Sequence, residues 1–192
     1  GDTLIVFTSD NGGSTSENND TKYPGDDYPQ GTLPGNNLPL RGKKGDVYEG
    51  GIRVPTLVCW PEKLNPGVHS HPAHIIDWMP TFCALAGYEA AADLKWDGRN
   101  LWPLLSGQAS PESRDLYWQG PNFRSKAVRS GDWKLTAQLN GKIWKEERFN
   151  LAADPGETRS LAEEQPEKLQ ALRGLMSAFE AGDRDAEVKK ER

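Results

Sequence analysis

Asp10 and Asn11 stand side by side after an apolar run, and both carry hard side-chain oxygens of the kind that calcium or magnesium takes. Gly12 and Gly13 follow, residues that let a backbone turn sharply and approach closely whatever lies opposite. The same residue types also build an ordinary strand-to-loop turn, so residues 9–13 by themselves support either use. A second stretch, residues 39–55, sets Arg41, Lys43, Lys44 and Arg53 among Gly42, Gly45, Gly50 and Gly51. Adjacent lysines usually face solvent. Between glycines, however, a backbone can fold round a small anion, and a lysine can reach that anion as a point charge. His69, His71 and His74 are acid–base candidates by type alone. Cys59 and Cys83 lie in no C-x-x-C pair and beside no spaced histidines, which reads as two buried thiols.

The elements that must position these residues are visible in the hydrophobic pattern. Leu4-Ile5-Val6-Phe7 reads as a strand buried on both faces, typical of a parallel sheet under helices. Asp10 and Asn11 then fall at its carboxyl end, where ligand sites of open α/β sheets lie. Residues 10–46 form a polar stretch rich in Gly, Pro, Asn and Asp, and a loop of that length is normally functional. Val54 to Trp60 predicts a second buried strand. Asp77 opens a helix with Met79, Phe82, Cys83, Leu85 and Ala86 on one side and Gly87 as its stop. A short helix is expected over 101–105. From 115 onward, segments 116–118, 125–129, 133–138 and 148–151 are strand candidates separated by turns at Gly131 and Gly141, which predicts an antiparallel meander. Leu169, Leu172, Leu175, Met176 and Phe179 recur at helical spacing and mark a core-facing stripe.

Composition narrows the classes. The chain has 192 residues, 35% of them hydrophobic, with seven tryptophans, enough for a sizeable core. With 23 basic and 28 acidic residues the net charge is −5, so there is no basic footprint for nucleic acid. An anionic substrate stays open, because a few cations in a cleft set the local field. No run of about 18 apolar residues occurs, and no membrane span is expected.

The motif S-D-N-G-G followed by P-L-R-G-K-K-G-x-x-Y-E-G-G-x-R-V-P resembles the second half of the type I, formylglycine-dependent sulfatases of the alkaline phosphatase superfamily. Three further stretches carry the same resemblance: D-W-M-P-T-F from Asp77, D-G-R-N-L-W-P-L-L from Asp97, and F-N-L through D-P-G-E to L-A from Phe149. They follow in order over residues 3–175. Ala73-His74-Ile75-Ile76-Asp77-Trp78 leans towards the arylsulfatase B branch. The resemblance implies an α/β fold in two parts. Residues 1–110 would be the C-terminal part of the mixed α/β catalytic domain, and 111–192 a small antiparallel sheet with a C-terminal helix.

Carried over by position, the resemblance makes Asp10 and Asn11 calcium ligands and Lys44 the catalytic, substrate-binding residue that holds a sulfate oxygen. Lys43 falls at a variable position, and Arg41 and Glu49 brace the loop. The three histidines take loop or surface roles, since the family's catalytic histidines lie elsewhere. The nucleophile, a formylglycine made within C/S-x-P-S/A-x-R, has no match here: Cys59 precedes Trp-Pro-Glu and Cys83 precedes Ala-Leu-Ala. The implied reading is a sulfuric ester hydrolase whose N-terminal half lies outside these residues, this chain alone being inactive. Its substrate would be a sulfate-ester small molecule or a sulfated glycan, and its compartment the periplasm, the extracellular space or the lysosome. Two alternatives stay open: a phosphonate or phosphodiester hydrolase of the same superfamily, and a non-catalytic truncated or split-protein binding piece. Substrate choice is expected from residues 18–38, where Tyr23 and Tyr28 either stack on a ring or anchor the loop.

Overall fold

The computed structural model describes residues 1–15, 35–89, 91 and 94–183, which divide into two compact units. Unit 1 comprises residues 1–10 and 55–114, and unit 2 comprises 11–54 and 115–192.

In unit 1 the strands β1 (Ile5–Thr8) and β2 (Thr56–Cys59) pair antiparallel, Ile5 opposite Cys59 and Phe7 opposite Leu57. The expectation of strands buried on both faces within a parallel sheet is corrected here. Side chains alternate along a strand, and this register puts Ile5, Phe7, Leu57 and Cys59 on one face, where all four are exposed. The same register explains why Cys59 is an exposed thiol rather than a buried one, while Cys83 is half-buried; both are free. Helix α2 (Trp78–Leu85) begins directly after a tight turn at Ile75–Asp77, and the short α3 (Trp102–Leu105) follows.

The expected burial of the apolar side of α2 is also corrected. Met79 and Phe82 are exposed, and the buried residues are Asp77 and Thr81. Asp77 Oδ1 accepts from the Arg114 guanidinium at 2.7 Å and from the Arg99 N–H at 2.9 Å, while Oδ2 accepts from the His74 N–H at 2.7 Å. Thr81 Oγ1 donates to the Asp77 carbonyl at 2.6 Å and accepts from the Leu101 N–H at 2.8 Å. The D-W-M-P-T and D-G-R-N-L motifs are thus the two halves of one buried polar joint, whose every polar atom needs its partner.

Unit 2 is built on an antiparallel meander of β3 (Asp115–Gln119), β4 (Ser125–Ser130), β5 (Trp133–Asn140) and β6 (Ile143–Asn150), in that order. Strand β6 starts earlier than its sequence suggests, because Lys145, Glu146 and Glu147 interrupt the apolar pattern without breaking the ladder. Helix α4 (Pro166–Asp183) covers one face: Leu169, Leu172 and Met176 pack on Val128, Leu135 and Ala137, with Tyr117, Trp133, Leu175 and Phe179 around them. The opposite face of β5 and β6 presents Lys134, Thr136, Glu147 and Phe149. That face is not left to solvent. It receives residues 39–51, with Tyr48 packing against Phe149 and Leu151.

Candidate functional site

Lys44 sits on a turn made by its own neighbours. The Asp46 N–H donates to the Lys43 carbonyl at 2.9 Å, Asp46 Oδ2 accepts from the Lys43 N–H at 3.0 Å, and Gly45 has φ of 92°. A positive φ at the third position of a four-residue turn is where glycine is demanded. The Lys44 side chain is therefore carried outward at the tip, exposed.

The Asn11 segment is laced to that turn by backbone. The Gly12 N–H donates to the Gly51 carbonyl at 2.9 Å, and the Lys44 N–H donates to the Gly13 carbonyl at 3.2 Å. Asn37 ties both strands of chain together, accepting from the Gly13 N–H at 2.7 Å and donating to the Gly13 and Gly42 carbonyls at 2.9 and 3.1 Å. The approach is so close that a Cβ on Gly12 would lie 1.8 Å from the Gly50 carbonyl oxygen. Glycine here is a packing requirement. Asn11, half-buried, and Lys44 thus share one backbone scaffold in unit 2, while Asp10 lies exposed just beyond β1 in unit 1.

The scaffold is fastened to the sheet by charge. Lys134 projects from β5 into full burial and meets Glu49 Oε1 at 2.9 Å and Glu157 Oε1 at 2.8 Å. Glu157 Oε2 also accepts from the Glu49 N–H at 2.6 Å, pinning the start of the short helix α1 (Glu49–Ile52). Burial pushes the Glu157 carboxyl up, and the attraction of Lys134 offsets only part of this. Beside it, the Arg41 guanidinium lies 3.9 Å from the Tyr48 ring centre, pairs with Glu147 at 3.3 Å and donates to the Glu157 carbonyl at 3.2 Å. Burial would raise Glu147, but hydrogen bonds from the Tyr48 hydroxyl and Arg41 outweigh it and hold the carboxyl below its usual range. Burial, reinforced by Glu147, raises the Tyr48 phenol. Arg41 and Glu49 accordingly touch the sheet and its loops through side chains that position the turn.

A family model described as Sulfatase matches residues 1–88. Steryl-sulfatase of Mus musculus is 34% identical over 95% of the chain, and Arylsulfatase A of Homo sapiens is 31% identical over 91%. The chain belongs to the sulfatase family.

The crystal structure of Ps i-CgsB superposes with a TM-score of 0.74 at 31% identity, covering 92% of this chain and 36% of that one. The same protein in complex with k-i-k-neocarrahexaose matches equally well. The chain spans about a third of the length of the curated relatives it matches, 32% of the mouse and 37% of the human protein.

For a sulfatase chain, the placement of the histidines is informative. His69 and His71 are exposed, and His74 caps the turn before α2, its Nδ1 accepting from the Ile76 N–H at 3.3 Å. Burial lowers the His74 pKa and favours the neutral ring that can accept this bond. Asp10 and Asn11 offer oxygen donors suited to a hard cation, but among the described residues no group of three or more His, Cys, Asp or Glu side chains could hold a metal. Residues 16–34, which include Tyr23 and Tyr28, lie outside the described residues. Sequence reasoning missed Lys134 and Glu157 as partners of the Lys44 scaffold. The available signal was a lysine alternating with apolar residues in Trp133-Lys134-Leu135, a pattern that solvent exposure explains equally well.

Proposed function

We propose that this chain is part of a sulfuric ester hydrolase, arylsulfatase-like, in which Lys44 holds and neutralises the sulfate group. The observation that carries this reading is the glycine-packed lap of residues 11–13 on residues 41–51, which presents Lys44 at a turn tip knitted to the Asn11 segment. The similarity to steryl-sulfatase and Arylsulfatase A supports the reaction class. Asp10 and Asn11 would supply two of the six to eight oxygens that calcium takes. Bound there, the ion would supply Lewis-acid charge to the sulfate oxygens. The nucleophile of this reading, a formylglycine, belongs to an N-terminal half of the protein outside these residues, so this chain alone is inactive. As the ester S–O bond breaks, negative charge gathers on the sulfuryl oxygens, and the Lys44 ammonium offsets it without reorganising. The substrate class is a sulfated glycan or a smaller sulfate ester. The complex of Ps i-CgsB with k-i-k-neocarrahexaose makes oligosaccharide esters the first to try. The same reading puts the enzyme outside the cytosol, in periplasm, extracellular space or lysosome. Among the described residues no helix is long and apolar enough to cross a membrane.

The test is turnover of nitrophenyl sulfate by the full-length protein and two variants. Lys44→Ala is expected to lose about 10²–10³ in rate, and Lys43→Ala little. Equal activity of Lys44→Ala and the parent refutes the assignment. Faster turnover of a phosphonate or phosphodiester than of the sulfate moves the protein to a sister activity of the superfamily.

A further inference from the structure

Strands β3 and β4 are joined by Gly120-Pro121-Asn122-Phe123-Arg124, a turn that obeys the geometry of one hairpin class and breaks its sequence rule. The Gly120 N–H donates to the Ser125 carbonyl at 2.8 Å, and the Arg124 N–H donates to the Pro121 carbonyl at 3.3 Å. The two residues between, Asn122 and Phe123, both have φ of 56°. Two consecutive positive φ values closed by that bond are the features of a type I′ turn. Its favoured pair is Asn-Gly, because the second central residue must also be left-handed. Asn122 satisfies the first position. Phe123 occupies the second, where a Cβ and a bulky ring carry a steric penalty that glycine avoids.

Burial does not repay that penalty. Phe123 is 73% exposed, and Pro121, Asn122 and Arg124 are exposed with it. Neither the turn nor the core calls for an aromatic ring here, and backbone strain that folding does not require collects at functional sites. The location agrees. A Cβ built on Gly45 would lie 3.8 Å from Pro121 Cγ, so this turn borders the Lys44-Gly45 turn within the same unit. An exposed ring on a rigid hairpin next to an anion-binding lysine is placed to meet whatever is esterified to that anion. Pro121 before it and the β3–β4 ladder behind it restrict its motion.

We propose that Phe123 is a specificity-determining residue whose ring stacks on the sugar ring carrying the sulfate that Lys44 holds. This rests on the sulfatase reading of Lys44. The contact forms with the ground state and persists as the S–O bond breaks, so it sets KM and leaves kcat alone.

The experiment uses the full-length enzyme and a panel of sulfated mono- and oligosaccharides, with k-i-k-neocarrahexaose tested beside them and inorganic sulfate as inhibitor. On the fastest sugar substrate, Phe123→Ala is expected to raise KM about three- to tenfold with kcat unchanged. Phe123→Trp should restore KM, and the sulfate inhibition constant should stay at the parent value. Phe123→Gly should show the same KM defect with an unchanged or higher melting temperature, since glycine relieves the left-handed strain. A structural role would instead lower the melting temperature of the Gly variant. Unchanged KM in Phe123→Ala, or a Gly variant that loses stability, overturns the inference while the sulfatase reading stands. So does a parent enzyme that hydrolyses nitrophenyl sulfate and no sulfated sugar. A parent that hydrolyses no sulfate ester removes the reading of Lys44 and this inference with it.

Discussion

Replacing Lys134 with methionine keeps the length of the side chain and removes its charge, leaving Glu49 and Glu157 facing one another in a buried site. Lys134 is fully buried and lies 2.9 and 2.8 Å from the two carboxylates, so one cation serves two anions. Arg53 reaches Glu49 only at 3.8 Å from a largely exposed position, and it screens the loss weakly. Removing one member of a buried pair typically costs about 3–5 kcal/mol, because the remaining charge is uncompensated. For a chain of this size that corresponds to a fall of about 6–20 °C in melting temperature. Urea unfolding followed by tryptophan fluorescence measures it directly. The pH dependence supplies the sharper check. In the parent, burial already pushes the Glu157 carboxyl up, with Lys134 opposing. Without the lysine the upward shift grows. A carboxyl whose folded pKa lies above its unfolded value stabilises fully below the unfolded value, about 4.3, and loses that contribution as pH rises through the folded one. The gap between parent and Lys134→Met should therefore be widest near pH 7 and close as pH falls towards 4. A cost under about 1 kcal/mol, or a gap independent of pH, would show that these carboxylates reach water and would refute the buried ion cluster.

Three other outcomes follow from the same structure. Asp77→Asn should destabilise unit 1 by about 3–5 kcal/mol in denaturant unfolding, since it strips the charge partner from a guanidinium that is itself buried. Gly12→Ala should cost at least about 2 kcal/mol and most of the full-length enzyme's activity, because the new methyl group meets the Gly50 carbonyl. Gly67→Ala, with nothing within 4 Å of its Cβ position, should cost neither. Glu147→Gln should lower stability at neutral pH and make its fall in acid shallower. The parent carboxyl is held low, so its contribution is present above about pH 4.3 and fades as pH falls through its folded pKa. The parent–variant gap in melting temperature should accordingly be flat above that point and shrink below it.

The meander, its two glycine turns and α4 were legible because each signal is local. Alternation, Asn140-Gly141 and the Leu169-to-Phe179 stripe need no knowledge of the rest of the chain. Lys44 stood out as a candidate because glycines flank it, although adjacent lysines alone suit a solvated loop equally well. Lys134 was not, since an inward lysine and an outward one leave the same mark in a strand. Glu157 sits in an Asp-Pro-Gly-Glu turn whose composition announces only a turn. Phe123 was hidden differently: nothing in Pro-Asn-Phe-Arg distinguishes a left-handed phenylalanine from an extended one until the hairpin closes on it. The exposed face of β1 and β2 shows the converse limit, because an apolar run predicts that a strand can be covered and not that it is.

Unit 2 is assembled from two stretches of sequence separated by the whole second stretch of unit 1. Hybrids between related genes that cross over once, anywhere between residues 55 and 114, would inherit the Lys44 loop from one parent and Lys134, Glu147 and Glu157 from the other. Such chimaeras keep every recognisable motif and still mismatch the charges and shapes that seat the loop. Functional exchange therefore requires two crossovers that carry residues 11–54 and 115–183 together, and libraries built by single-point recombination should be depleted in active members across that interval.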